Sequence, residues 1–159
     1  YAVDTETPAI TPSAGLTLSE SKDPSLYVTI KEMQALVNQP SPEVVLLDVR
    51  TEKEYLEEGK IPGSVILDYA GNFYADNTFK DTMANQIDYL EAGMDPEKEI
   101  VIYCRTSMRA APVFVRLYDA GYRNIRIFDG AWLEWTANSS NPVEYAASGA
   151  PAPSQKDAS

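Results

Sequence analysis

The chain contains 159 residues, 44% of them hydrophobic, which is enough for one globular domain with a single core. Its 24 acidic and 13 basic residues give a net charge of -11, which disfavours nucleic acid and anionic membrane surfaces as partners. One cysteine and no histidine exclude an internal disulfide, a cysteine-based zinc site and Ser-His-Asp or Cys-His catalysis within this chain, so neither a metal nor another cofactor is expected.

The two ends of the chain differ in composition from its middle. Residues 1–25 contain three prolines and no hydrophobic period, which predicts an extended arm. The end, "AASGAPAPSQKDAS" (residues 146–159), has the composition of a disordered tail. One folded domain is therefore expected over residues 26–145.

The compartment is weakly marked in the sequence. The chain starts at Tyr1 without a methionine or an apolar signal segment, and we expect that an upstream piece has been removed. The Pro/Ala/Ser-rich ends favour an exported protein of the periplasm or cell envelope, whereas a free reactive thiol is easier to keep in the cytosol. No apolar run approaches the roughly 20 residues of a membrane helix, so membrane insertion is not expected.

The first predicted elements follow one another closely. Thr29–Glu32 has the pattern of a capping box, which predicts a short helix that starts near Ile30 and ends before Pro40. "VVLLDV" (Val44–Val49) is a valine- and leucine-rich apolar run, typical of a strand buried on both faces. A second capping box at Thr51–Glu54 predicts a brief helix that ends at Gly59, and "SVIL" beyond it predicts a short strand.

The second half repeats the alternation of helix and strand. A helix is predicted where apolar residues recur at helical spacing, at Met83, Ile87, Leu90 and Met94. "EIVIYC" then predicts a central strand, and a further helix has an inner face formed by Val113, Phe114, Leu117 and Ala120. Gly121 should cap that helix, and Ile125–Phe128 is the last clear strand. This alternation predicts an α/β fold with a parallel sheet covered by helices on both faces.

The only cysteine lies in "IVIYCRTSMRAAPVF", at the carboxyl end of the predicted central strand. Ligands of parallel α/β sheets bind at that edge, where loops lead into helix N-termini. Pro112 is tolerated only in the first helical turn, so the helix should begin near Arg109 or Ala110 and leave Cys104–Met108 as a loop. Loop amides, helix dipole and arginines would favour the thiolate of Cys104 over the thiol.

Arginines are concentrated around this loop. Five of the six in the chain fall within 22 residues, at Arg105, Arg109, Arg116, Arg123 and Arg126. Since the rest of the chain is acidic, this concentration predicts a small anionic substrate. The alternative is that Cys104 is an inert, buried small residue, as free cysteines commonly are.

Three ordered blocks resemble rhodaneses, the thiosulfate or mercaptopyruvate sulfurtransferases, from about Tyr27 to Tyr145. "LLDVRTEKEYLEEGKIPGSVILDY" resembles the family's first signature, and "MDPEKEIVIYCRTSMRA" its active-site segment. "AGYRNIRIFDGAWLEW", followed by Pro142–Glu144, resembles the end of the catalytic C-terminal domain of tandem-domain members. The resemblance implies a parallel sheet of about five strands, and it raises the prospect of an N-terminal rhodanese domain missing from this chain.

The resemblance also implies a reaction and its residues. Cys104 would take the outer sulfur from a small anionic donor such as thiosulfate, hold it as a persulfide, and deliver it to cyanide, a thiol or a protein acceptor. The loop that binds the donor would consist of Arg105, Thr106, Ser107, Met108 and Arg109. Asp48 and Arg50 would brace this loop, unless they pair with one another or face the surface. Trp132 is a candidate for the pocket wall.

Loop length and local sequence distinguish sulfur transfer from the activities of related proteins. Related phosphatases and arsenate reductases have a Cys-x5-Arg loop, whereas the spacing from Cys104 to Arg109 is Cys-x4-Arg, which favours sulfur. Arg105 stands where mercaptopyruvate enzymes have glycine, which disfavours that substrate. Glu54 stands where some tandem members have a substrate-binding arginine, and we assign it to the capping box. A non-enzymatic persulfide carrier or partner-binding module is the main alternative.

Overall fold

The computed structural model describes residues 23–146. Residues 1–22 of the predicted arm and residues 147–159 of the predicted tail lie outside the described residues. The last part of the predicted arm contributes to a 3-10 turn at Pro24–Leu26, which Asp23 caps through its side chain. Within the described part of the chain, no helix is long and apolar enough to cross a membrane.

A five-stranded sheet forms the centre of the domain. Its strands are β1 (Tyr27–Val28), β2 (Val44–Asp48), β3 (Val65–Ile66), β4 (Glu99–Tyr103) and β5 (Ile125–Phe128). They lie in the order β1-β5-β4-β2-β3, and every neighbouring pair is parallel. The prediction of a parallel α/β sheet is therefore confirmed. Because β4 is central and Asp48 aligns with Tyr103, the carboxyl ends of β2 and β4 meet at one edge.

Helices cover both faces of the sheet, as predicted. They are α1 (Ile30–Asn38), α2 (Glu52–Glu58), α3 (Thr82–Glu91), α4 (Ala110–Asp119) and α5 (Ala131–Ala137). One core cluster contains Tyr89 of α3 and Leu117 of α4, and the other contains Met33 of α1 and Trp135 of α5. These four helices thus bury apolar side chains against the sheet, whereas α2 has no buried residue.

Local sequence signals correctly predicted where several of these helices begin. Both predicted capping boxes form, at Thr29 with Glu32 and at Thr51 with Glu54. The helix after the cysteine loop begins at Ala110, as Pro112 predicted. β1 was not predicted, because a strand of two residues has no periodicity of its own and depends on its pairing with β5.

The predicted helix over residues 83–94 forms with a different buried face. Met83, Ile87 and Leu90 are exposed, while Asn85 and Tyr89 of α3 are buried. The Tyr89 hydroxyl donates to the Asn72 side chain, and its ring packs edge-on against Tyr122. Polar partners across the core therefore determined the orientation of α3, and these partners are distant in sequence.

Candidate active site

Cys104 directly follows β4 and is fully buried as a free cysteine. Its carbonyl oxygen accepts a hydrogen bond of 2.9 Å from the backbone N–H of Trp132, in the first turn of α5. The adjacent Tyr103 is also buried, and its hydroxyl oxygen accepts from the backbone N–H of Ile61 at 3.0 Å. The backbone of Cys104 is thus tied to α5 at the end of β4, with its thiol buried.

The loop from Arg105 to Arg109 is fixed through Ser107. Ser107 adopts a left-handed backbone with φ of 65°. Its hydroxyl donates to the carbonyl oxygens of Phe128 at 3.2 Å and Asp129 at 2.6 Å, which ties the loop to the end of β5. Its own carbonyl accepts from the N–H groups of Ala110 and Ala111, which closes the first turn of α4.

The backbone N–H groups of this loop are free. Among residues 23–146, none of the five N–H groups from Arg105 to Arg109 donates to a protein acceptor. Backbone amides without partners at the entry to a helix form a site for an anion. The loop therefore offers donors next to Cys104 without requiring a cationic side chain.

Arg109 forms a two-pronged ion pair with Glu54 of α2. Nη1 lies 2.6 Å from Oε2, and Nη2 lies 2.7 Å from Oε1. The hydrogen bonds from Arg109 lower the pKa of the Glu54 carboxyl to about 2, with help from the backbone N–H of Thr51. Those to Glu54 raise the pKa of Arg109, and the charge of Cys104 contributes further. Glu54 therefore caps α2, as predicted, and also holds the loop.

Arg105 forms a second ion pair, with Glu58 at the end of α2. Its Nη1 lies 2.6 Å from Oε1 and 2.8 Å from Oε2 of Glu58. The indole N–H of Trp132 donates to Oε2 at 2.8 Å. Glu58 thus joins the cysteine loop, α2 and α5 at one carboxylate.

The predicted pair of Asp48 and Arg50 is fully buried. Arg50 Nη2 lies 2.7 Å from Asp48 Oδ2 and also donates to the Gly59 carbonyl at 2.7 Å. Burial by itself would lower the pKa of the Arg50 guanidinium, but the hydrogen bonds and charge of Asp48 raise it above its ordinary value. Arg50 Nη1 has no hydrogen-bond partner among the described residues, and it lies 3.7 Å from Glu58 Oε2.

These contacts are those of the alternative in which Asp48 and Arg50 pair with one another. Their side chains bind each other and Gly59 instead of residues 104–109, and the connection to the loop runs through Glu58 and Arg105. Trp132 lies behind the loop with its ring 4.2 Å from the Arg50 guanidinium, and only 3% of its surface is exposed. Their roles in catalysis stay predictions.

The two remaining loop residues face outward. Thr106 is exposed and Met108 is 80% exposed, and neither side chain makes a hydrogen bond within the described residues. Glu58 was missed by sequence reasoning, although a signal was present. Glu54 and Glu58 are four residues apart in the predicted helix, which places both carboxylates on one face of it.

Metal binding has no support in this part of the chain. Among residues 23–146, no group of three or more Cys, Asp or Glu side chains is arranged to hold a metal ion.

Comparison with known proteins gives a consistent family match. A family model described as the rhodanese-like domain matches residues 29–138. A thiosulfate sulfurtransferase of Corynebacterium glutamicum is 32% identical over 149 residues, covering 84% of this chain and 48% of its own length. TtuD, a sulfur carrier protein of Thermus thermophilus, is 33% identical over 106 residues, covering 57% of this chain and 37% of its own length. The chain thus spans about half or less of the length of these relatives.

The fold is also found in solved structures. An anaerobic ergothioneine biosynthesis enzyme from Chlorobium limicola, solved with trimethyl histidine, superposes with a TM-score of 0.71. The match covers 79% of this chain and 33% of that enzyme at 23% identity. At this identity the likeness concerns the fold alone.

Proposed function

The chain belongs to the rhodanese-like domain family, and on this basis we propose that it is a sulfurtransferase that carries sulfane sulfur as a persulfide on Cys104. Sulfur transfer itself is the property that the family and its sulfurtransferase relatives share. The donor in this proposal is a small anion such as thiosulfate, and the acceptor is cyanide, a thiol or a protein.

One observation carries the proposal: the fully buried Cys104 is followed directly by five backbone N–H groups that have no acceptor among residues 23–146. These amides can stabilise negative charge on a terminal sulfur without being reorganised during the reaction. An inert cysteine would have no use for such donors beside it, whereas an anionic sulfur would be stabilised by them.

The chemistry needs no histidine. The thiolate attacks the outer sulfur of thiosulfate, the sulfur–sulfur bond breaks, and sulfite leaves with the bonding electron pair. The second half reverses the roles, because the acceptor attacks the terminal sulfur of the persulfide and Cys104 leaves as a thiolate. No external oxidant or reductant is consumed, and no proton has to be removed by a general base once the thiolate is present.

The proposal is tested by initial rates of thiocyanate formation from thiosulfate and cyanide. We expect parallel lines in double-reciprocal plots at several cyanide concentrations, since the two substrates react in separate steps. Cys104→Ser should abolish the reaction, whereas intersecting lines or activity retained in Cys104→Ser would contradict the proposal.

A sulfur-carrier role is the second candidate, because a relative with 33% identity is named a sulfur carrier protein. A carrier would accept sulfur at Cys104, turn over cyanide slowly and release sulfur on contact with a protein partner. Persulfide decay with cyanide and with candidate protein acceptors distinguishes the two roles. Fast discharge by cyanide favours the enzyme.

We also propose that this domain works beside a further domain, since the chain spans 48% of its Corynebacterium relative. Turnover by this chain should then be lower than turnover by the longer protein that contains it. Equal turnover by both would show that the described domain holds a complete site.

A further inference from the structure

Helix α2 and the cysteine loop are joined by two matched ion pairs. Glu54 binds Arg109 through two N–O contacts of 2.6 and 2.7 Å. Glu58 binds Arg105 through contacts of 2.6 and 2.8 Å. We call Glu54 and Glu58 the carboxylate pair. Both arginines that flank the loop are therefore neutralised by side chains of one helix.

We propose that the carboxylate pair sets donor specificity: it cancels the charge of Arg105 and Arg109, so the loop selects a singly charged organic persulfide over the thiosulfate dianion. This inference rests on the proposed sulfur transfer at Cys104, and it names the substrate class for that site. Glu54 and Glu58 act here as positioning residues, since they bind the arginines rather than the donor.

The charge balance of the site supports this specificity. Three guanidinium groups at this edge each have a carboxylate partner, in the pairs Arg105–Glu58, Arg109–Glu54 and Arg50–Asp48. Apart from the Arg109 guanidinium, which also interacts with Cys104 but is paired with Glu54, the donor meets the neutral N–H dipoles of the loop. Neutral dipoles can stabilise one negative charge, but the cost of dehydrating an ion rises with the square of its charge, so a dianion loses more. The net charge of -11 adds to the repulsion of a dianion.

The carboxylates are held in place before any donor arrives. Oε2 of Glu54 accepts from the backbone N–H and the hydroxyl of Thr51, at 3.0 and 2.9 Å. Oε2 of Glu58 accepts from the indole N–H of Trp132 at 2.8 Å. The hydrogen bonds from Thr51 and Trp132 fix the two glutamates. A donor that displaces a glutamate from its arginine therefore also has to break these hydrogen bonds. A mobile surface glutamate would be displaced at lower cost.

The group-transfer step is balanced for this donor class. The bound persulfide anion, R–S–S⁻, takes a proton from solvent, and the Cys104 thiolate attacks the terminal sulfur of the resulting R–S–SH to form a new sulfur–sulfur bond. The old sulfur–sulfur bond breaks, and the alkyl thiolate leaves with its electron pair. The transferred sulfur keeps its oxidation state, so no further reagent is required.

The test compares two donors, thiosulfate and N-acetylcysteamine persulfide, which carries no charge besides that of its terminal sulfur. The readout is kcat/KM for each donor in the wild type, Glu58→Gln, Glu54→Gln and the control Glu57→Gln. Glu57 lies on the same helix and pairs with Lys53 at 3.8 Å, so its variant removes one charge without touching the loop. Each donor is compared across variants, so differences in intrinsic reactivity cancel.

We expect Glu58→Gln to raise kcat/KM for thiosulfate by about tenfold, mainly through KM, since one uncompensated positive charge is then available to the dianion. The value for the singly charged persulfide should rise by only about threefold, because its interaction with the same charge is half as strong, and this retained activity also shows that the variant is folded. Glu54→Gln should act in the same direction, Glu57→Gln should change neither donor, and added salt should reduce the gain for thiosulfate.

Several results would overturn the inference. If kcat/KM falls equally for both donors in Glu58→Gln, that residue only maintains the structure of the loop. If Glu58→Gln and Glu57→Gln change kcat/KM for thiosulfate equally, the change is due to net charge. If Glu58→Gln does not fold, Arg105→Gln tests the opposite change in charge. We expect kcat/KM for thiosulfate to fall by about tenfold and kcat/KM for the persulfide to fall less, and equal losses contradict the inference. Failure of the wild type to take sulfur from either donor would instead overturn the proposed function together with this inference.

Discussion

The carboxylate of Glu54 both caps α2 and binds Arg109, and the pH dependence of stability reports on the ion pair with Arg109. Its pKa is lowered from 4.5 to about 2, first by the hydrogen bonds from Arg109. A carboxyl group whose pKa is lowered in the folded state stabilises the fold when the pH is above its pKa in the unfolded state. This contribution is lost as pH falls from 4.5 towards 2. Glutamine can still complete a capping box, so Glu54→Gln isolates the ion pair.

We predict that Glu54→Gln lowers the free energy of unfolding at pH 7 by about 1 kcal/mol. The difference between variant and wild type should shrink as pH falls below 4.5, because protonation removes the ion pair from the wild type as well. Urea denaturation of both proteins across this pH range measures the difference in their free energies of unfolding. A difference that is constant with pH would contradict the assignment.

Arg50 illustrates the cost of a buried charge. Arg50 and Asp48 both have fully buried side chains and bind one another at 2.7 Å. Removing the guanidinium leaves an uncompensated buried carboxylate, so Arg50→Met should lower the free energy of unfolding by about 3 to 5 kcal/mol. The double variant Asp48→Asn, Arg50→Met should lose less than Arg50→Met alone. Chemical denaturation checks this order, and a larger loss in the double variant would contradict it.

At the scale of elements, α2 links stability to the site because it carries both members of the carboxylate pair. Thr51 caps α2 with the same capping box that Thr29 forms on α1. Each Thr→Ala change should lower the free energy of unfolding by about 1 kcal/mol. Only Thr51→Ala should also change the ratio of kcat/KM between thiosulfate and the persulfide, since α2 contacts the loop arginines through Glu54 and Glu58 and, over residues 23–146, no such ion pair joins α1 to them. Thermal melts and donor kinetics measure both, and an equal change in Thr29→Ala would contradict this link.

Elements with local signals were predictable from sequence. The capping boxes, the apolar runs of β2 and β4, and Pro112 in the first turn of α4 each act within a few residues. The buried face of α3 was not predictable from its apolar spacing, because Asn72 and Tyr122 determine it across the core. Likewise Cys104 and its loop were predicted, but Glu58 lies 47 residues from Arg105 in sequence.

At the scale of the whole molecule, the net charge of -11 opposes the approach of any anion to Cys104. The site itself adds little compensation, because its arginines are paired. Alkylation of Cys104 by iodoacetate should therefore accelerate when salt is raised from about 10 to about 150 mM, since screening weakens the repulsion. Iodoacetamide, which is neutral, should show little change. An iodoacetate rate that falls with salt would reveal a net positive site.

The intact mass of the protein measures the sulfur loading of Cys104. After incubation with thiosulfate or with N-acetylcysteamine persulfide and removal of excess donor, the wild type should gain the mass of one sulfur atom and lose it again on addition of cyanide. Cys104→Ser should gain nothing. A wild type that takes up no sulfur from either donor, or sulfur retained in Cys104→Ser, would contradict the account.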